Sequence, residues 1–393
     1  MTALSPAEWI RDVVETPPDP ILGALQRVVD RFDPSVAKDG APIRALSLTD
    51  FRKRYGAEDR FLAFCDLLEI KPLGATTGTG RVPFKLSPIQ QAFCEARTGR
   101  DVILKPRQVW ITSVELARDI WYWLTKPSAN VVVMCQSSTG HDMANRLSER
   151  VQVYIESLKK NARLQFEFKT ETKVLWVLQD GATLQIVEAG ASAAAAQKKG
   201  RGDTVQRLHT TELAFWEQAG LSLNAILEGI AGPEHGTEIV HESTANGAGG
   251  ERPESSKDTA GGPYFYWLCK DAREQRNGYA FHFIEWMQHP WYRTTLEPGE
   301  TITPDQQGDR SRRIREEEAV ARGATQEQLK WFRGKLSSKS IDDVDQEYPS
   351  TPTGASCRPG VSSSTRSAHH YSLRAAVDRP GSRISSAQAR SAY

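Results

Sequence analysis

Residues 101–124 read DVILKPRQVWITSVELARDIWYWL, and the fold turns on how this stretch is read. Val102, Ile103 and Leu104 form a short apolar run of strand type. Lys105, Pro106, Arg107 and Gln108 make a tight basic loop. Leu116, Ile120, Trp123 and Leu124 then recur at helical spacing as one apolar stripe, with Thr112 or Ser113 placed to cap the helix start. A strand that breaks into a basic loop at a helix N-terminus is suited to anions, because unpaired N–H groups point outward there and the helix dipole favours negative charge.

This is the setting of a phosphate-binding loop, with different letters. In the pattern G-x-x-x-x-G-K-[ST], Thr112 takes the terminal hydroxyl position, Ile111 falls on the lysine and Trp110 on the second glycine. Lys105 and Arg107 can bring the positive charge from the front of the loop instead. Glycine matters at such a place because the backbone must approach the phosphates and can need positive φ, which is costly for tryptophan. On these residues alone, a surface loop carrying two solvated cations is the alternative.

Outward from the loop, residues 84–246 alternate strand and helix patterns, which predicts an α/β fold with a mostly parallel central sheet flanked by helices. Residues 130–134 (NVVVM) read as a buried strand and residues 141–159 as a helix. Residues 173–178 and 182–187 bracket the hairpin turn Gln179-Asp180-Gly181, and residues 205–209 and 238–241 are two further strands. Polar residues follow the strand ends, where ligands sit in open α/β sheets. Residues 1–80 read as a helical N-terminal region. It opens at Ser5-Pro6-Ala7-Glu8, continues in helices near 20–32, 48–55 and 58–70, and closes with the glycine-rich linker GATTGTG. Residues 305–333 read as a solvated helix pair, and the aromatics of YFYWLCKDA and YAFHFIEWMQHPWY as core rather than base-stacking surface.

Bulk properties bound the function. The 393 residues are enough for two or three domains, and 39% hydrophobic with 25% charged residues is ordinary for a soluble globular chain. A net charge of +1 neither requires nor excludes a nucleic-acid partner, since a local basic groove can hide in a neutral total. Cys65, Cys94, Cys135, Cys269 and Cys357 lack any C-x-x-C spacing, which argues against a disulfide frame or a zinc site. No apolar run suits a membrane span or a signal peptide, so a cytoplasmic location is expected.

Several motifs stand in one order: FKLSPIQQ, LKPRQVWITS, NVVVMCQS, KKGRGDTVQRLHTTELAFWE, IVHESTANG, PYFYWLCKDA, FIEWMQHPWY and DVDQEYPSTPT. Over residues 80–353 this arrangement resembles the large terminase subunit of tailed bacteriophages and prophages, the ATP-driven DNA-packaging motor. The resemblance implies a P-loop NTPase core of the additional-strand type over residues 81–250, followed by a linker or subdomain over 251–353. Gln90 would contact adenine. Lys105, Arg107, Gln108 and Thr112 would form the phosphate loop, with Thr112 near Mg²⁺. Glu212 would be the catalytic carboxylate that positions the attacking water and takes its proton. Ser243, Thr244, Asn246 and Gly247 would couple to the γ-phosphate, and Arg201 would stabilise developing charge. The cofactors implied are ATP and Mg²⁺. The partners implied are double-stranded DNA, a portal protein and a small terminase subunit, with the chain acting as a homo-oligomeric ring on the portal.

Two positions depart from the family pattern. Trp110 replaces the usual loop glycine, and Thr211 replaces the usual aspartate before the glutamate. The metal is thereby left to Thr112, Thr211, phosphate oxygens and waters, and weaker ATP binding is expected. The family's nuclease domain normally follows the segment resembling EYPSTP. Residues 354–393 instead are rich in Ser, Arg and Ala, with no lysine and the single acidic residue Asp378. A two-metal nuclease needs several carboxylates, so this tail reads as off-family, disordered sequence of frameshift type, and nuclease activity is expected to be absent. Two alternatives to a working motor are carried forward: a helicase-like DNA-stimulated ATPase, and an impaired prophage remnant that binds DNA or portal without turnover.

Overall fold

The computed structural model describes residues 45–71, 80–137, 143–190, 204–247, 252 and 260–352. The expected helices within residues 1–44, residues 74–79 of the linker, Arg201 and the tail from residue 353 lie outside the described residues.

Eight strands form the central sheet: β1 (Arg100–Leu104), β2 (Asn130–Cys135), β3 (Phe168–Glu171), β4 (Leu175–Leu178), β5 (Thr183–Glu188), β6 (Arg207–Thr211), β7 (Glu238–Ser243) and β8 (Ala280–Phe283). Their order across the sheet is β8-β1-β7-β6-β2-β5-β4-β3. Neighbours from β8 to β5 run parallel, and β4 and β3 continue antiparallel. The mixed α/β architecture with a mostly parallel sheet is as expected. The hairpin reading also holds, since β4 and β5 pair Trp176 with Leu184 and Gly181 turns the corner at φ 87°, a left-handed value that glycine adopts without strain.

The sheet is covered on both faces. Along β2, Val131, Val133 and Cys135 join one core cluster while Val132 and Met134 join another, the two-residue alternation of a strand buried on both sides. On the first face lie α3 (Ile111–Thr125) and α4 (Met143–Asn161), together with α1 (Leu48–Tyr55) and the short helix Phe61–Cys65. On the second lie α5 (Ala219–Leu227) and α6 (Gly261–Arg273). Helix α2 (Pro88–Ala96) packs Phe93 against Ile103 and Val109 beside the loop. A third cluster, built on Trp286, Phe332 and Val344, gathers residues 286–348 with α7 (Arg310–Ala321), α8 (Gln326–Ser338) and α9 (Ile341–Glu347).

Helix α3 differs from its sequence reading. A single apolar stripe was expected, yet the helix is buried all round, apart from the half-buried Thr112. Its outer side is capped by the N-terminal helices, with Trp121 Nε1 donating to Tyr55 O at 2.6 Å and Arg52 Nε to Leu124 O at 2.8 Å. The polar residues Glu115, Arg118 and Asp119 are tolerated inside because each has a charged partner. Arg207 of β6 binds Glu115 at 2.7 Å and Asp119 at 2.6 Å, and also pairs with Glu238, while Arg118 pairs with Glu58 and Glu238. Periodicity could not see these partners, since they come from other strands and loops.

Candidate active site

Strands β1, β7 and β6 are adjacent and parallel, with Leu104 paired to Ser243 and Thr211 paired to Glu242. The residues that follow them therefore emerge together at one edge of the sheet. Lys105 Nζ lies 2.8 Å from Glu212 Oε1 and 2.9 Å from Glu242 Oε2. The lysine side chain is 5% exposed, Glu212 25% and Glu242 fully buried, so water reaches this cluster from the Glu212 side. Burial by itself would lower the Lys105 pKa, but the two carboxylates outweigh it and hold the ammonium above its ordinary value. Glu242 is held below the carboxylate range: burial opposes its charge, and Lys105 and His209 more than restore it.

The loop itself follows an unusual path. Gln108 and Trp110 both have positive φ, at 57° and 54°, a conformation that costs a bulky residue roughly 1–2 kcal/mol. Trp110 is also the residue before α3, and no side chain caps the helix start. The expectation that Thr112 or Ser113 caps the helix is corrected: α3 begins at Ile111, placing both inside the first turn. Thr112 Oγ1 instead donates to Glu242 Oε1 at 2.7 Å. The loop is held from two sides. Gln90 is 2% exposed, and its Nε2 donates to the carbonyls of Val109 and Trp110 at 3.2 and 3.4 Å while its Oε1 accepts from Ser87 N at 2.8 Å. Gln90 thus props the loop and caps α2. Arg107 is exposed and pairs with Glu347 at 3.0 Å, its amide donates to Glu347 O at 3.0 Å, and its carbonyl accepts from the Tyr292 hydroxyl. Trp291, 58% exposed, meets the Trp110 ring edge-on with centroids 4.7 Å apart.

Glu212 also sits in the left-handed region, with φ 52° and ψ 42°, and its Oε2 accepts from the Thr244 amide and hydroxyl, each at 3.3 Å. Ser243 Oγ accepts from Ala214 N at 3.1 Å, and Asn246 Nδ2 donates to Ala214 O at 2.9 Å. The segment from Ser243 to Asn246 thus grips both the Glu212 carboxylate and the turn that carries it. Glycine is required behind this turn: a Cβ on Gly261 would lie 2.3 Å from Leu213 O and 2.7 Å from Trp216 N. Thr211 is buried, and its carbonyl accepts from Trp216 Nε1 at 3.1 Å.

Of the expected site residues, Lys105, Thr112, Thr211, Glu212, Ser243 and Thr244 converge, Asn246 supports them, and Gln90, Arg107 and Gln108 shape or flank the loop. Two participants escaped sequence reading. Glu242 lies one residue before the Ser-Thr-Ala-Asn segment, and only the strand register, which the sequence does not carry, sets it opposite Thr211. His209 is fully buried with Nδ1 2.7 Å from Asp119 and Nε2 3.7 Å from Glu242, and its pKa is raised to about 9 because these carboxylates outweigh burial, which alone would lower it. Among the described residues no group of three or more His, Cys, Asp or Glu side chains is arranged to hold a metal ion, and no helix is long and apolar enough to cross a membrane.

No sequence-family description and no curated protein matches the chain. Solved structures do resemble it. The ATPase domain of a Thermus phage large terminase is 14% identical with a TM-score of 0.42, over 68% of this chain and 94% of that one. The HK97 bacteriophage large terminase is 13% identical with a TM-score of 0.46, over 75% of this chain and 54% of that one, so the chain spans about half of that protein. A large terminase from a thermophilic bacteriophage, solved in complex with ADP, is 13% identical with a TM-score of 0.32, over 50% of this chain and 43% of that one.

Proposed function

We propose that the chain is a P-loop ATPase of the additional-strand type and the motor part of a large terminase, driving double-stranded viral DNA into a procapsid. The observation that carries this reading is the meeting of Lys105 with Glu212 and Glu242 across three neighbouring strand tips, directly before an uncapped helix start. A buried lysine held only by carboxylates at a loop-to-helix turn is poised to exchange one of them for phosphate oxygens. When a triphosphate enters, Lys105 turns to the phosphates, the start of α3 faces their negative charge, and Glu212 is released. Held by Thr244, Glu212 then orients a water in line with the γ-phosphorus and takes its proton as the new P–O bond forms and the bond to the β-phosphate oxygen breaks, leaving ADP and phosphate. Thr244 shares Glu212 and adjoins Ser243, so loss of the γ-phosphate would be felt along the segment to Asn246. In this reading Arg201 is the charge-stabilising arginine, and Gln90 would have to leave the carbonyls of Val109 and Trp110 to contact adenine.

Mg²⁺ would supply charge neutralisation at the phosphates, and hydroxyl and carboxylate oxygens such as those of Thr112 and Glu242 are the hard donors it prefers. In this reading the chain works in the host cytoplasm as a ring with a portal protein and a small terminase subunit, and grips DNA through its phosphates, hence in a salt-sensitive way. The second reading, a remnant that binds without turnover, is favoured by the neutral Thr211 at the metal-side position and by Trp110 at positive φ in the loop.

Phosphate release measured with and without linear double-stranded DNA, on wild type and Glu212→Gln, tests the proposal. DNA-stimulated release that falls at least about a hundredfold in the variant is expected for a lost general base. Release no greater in wild type than in Glu212→Gln would leave the remnant standing.

A further inference from the structure

We propose that Glu242 is the metal-side carboxylate of this site, supplying from β7 the charge that β6 lacks at Thr211. The inference rests on the nucleotide-binding reading above and specifies how a divalent cation would be held. Thr211 and Glu242 are register partners on adjacent parallel strands. Partners of this kind point to the same face about 4.8 Å apart. A carboxylate carried at 242 on β7 therefore lines the same space, on the same face of the sheet, as one carried at 211 on β6 would.

The surroundings of Glu242 match that role. Its Oε1 accepts from the hydroxyl of Thr112, the loop residue expected beside the metal, at 2.7 Å. Its Oε2 faces Lys105 Nζ at 2.9 Å and makes no hydrogen bond of good geometry. His209 closes the far side at 3.7 Å, itself fixed by Asp119 at 2.7 Å. A charge this deeply buried is costly unless it is compensated, and Lys105 from the loop, Thr112 from α3, Thr211 from β6 and His209 backed by Asp119 compensate it. One carboxylate, one hydroxyl, phosphate oxygens and waters make a donor set that Mg²⁺ commonly uses. The arrangement also accounts for Thr211. An aspartate there would add a third carboxylate around the single ammonium of Lys105, and the like charges would repel. Carboxylates at 211 and 242 are thus alternatives.

The test measures affinity for a non-hydrolysable ATP analogue in EDTA and in Mg²⁺, together with the Mn²⁺ paramagnetic resonance signal of the nucleotide-bound protein. Wild type, Glu242→Gln, Glu242→Asp and the double variant Thr211→Asp/Glu242→Gln are compared. Wild type is expected to bind at least tenfold more tightly with Mg²⁺. Glu242→Gln is expected to lose most of that gain, read as the ratio of its own Mg²⁺ and EDTA affinities, together with the bound Mn²⁺ signal. Glu242→Asp is expected to keep part of the gain, and the double variant to regain it. Should Glu242→Gln fail to fold, the charge-conserving double variant decides: recovery of metal-dependent tightening supports the exchange of positions, and metal-independent binding overturns it. Full metal tightening in a folded Glu242→Gln would overturn the inference while leaving the nucleotide reading intact. A wild type that binds no nucleotide under either condition would end both.

Discussion

Trp110 concentrates the tension between what the loop must do and the residue that does it. Its φ of 54° would suit glycine, and the neighbouring Gln108 at 57° repeats the demand. The indole is kept in this conformation by ring contacts with Trp291 and His289, at centroid distances of 4.7 and 6.0 Å, and by the Gln90 amide on its carbonyl. Replacing Trp110 by glycine removes the left-handed penalty and opens the phosphate path. Labelled ATP is therefore expected to bind Trp110→Gly more tightly than wild type, and equal affinities would show that the indole is no obstacle. Gln108 is exposed, so Gln108→Gly separates strain from access: it is expected to raise thermal stability by up to about 1 kcal/mol, and an unchanged or lower melting temperature would count against strain at this position.

At the scale of elements, the site depends on how closely α6 approaches the turn after β6. Gly261 N donates to Trp216 O at 2.7 Å, and a Cβ at Gly262 would lie 2.2 Å from Asn246 O. The two glycines let α6 rest directly on both the Glu212 turn and the segment that holds it. Gly261→Ala must push these backbones apart, because the atoms it meets cannot rotate away. The expected cost is about 1–3 kcal/mol, read as a lower melting temperature, with a fall in phosphate release larger than the loss of folded protein explains. A variant with wild-type melting and turnover would mean that α6 does not set the turn. Helix α3 is likewise fixed by what surrounds it: without Arg207, the buried carboxylates of Glu115 and Asp119 would lose their shared partner.

Over the whole molecule, two couplings stand out. The cluster on Trp286 and Phe332 reaches back to the loop through Tyr292 and Glu347, so the C-terminal helices are tied directly to the phosphate loop. A line of buried charge also runs from Glu242 through His209 and Asp119 to Arg207. Since His209 titrates near 9 when folded and near 6.5 when unfolded, the folded state binds the extra proton between those values. Its stabilisation is complete below about pH 6.5 and is lost as pH rises through 9, by at most about 3 kcal/mol. Melting temperature is expected to fall over this window in wild type and to fall less in His209→Gln. Parallel profiles would show that the imidazolium contributes nothing.

The strand, basic loop and helix at residues 101–124, the β4–β5 hairpin and the polar strand ends were all legible in the sequence, because they rest on local periodicity and turn chemistry. The convergence of Lys105, Thr112 and Glu212 was foreseen only through the order of motifs, since nothing local measures a distance between residue 105 and residue 212. Tertiary structure alone decided the rest. Strand order and register set Glu242 opposite Thr211, Arg207 of β6 met Glu115 and Asp119 on the polar side of α3, and the approach of α2 turned Gln90 onto the loop. Side-chain spacing along one segment carries the information for that segment's own shape, whereas a buried charge is tolerated only by partners that arrive from elsewhere in the chain.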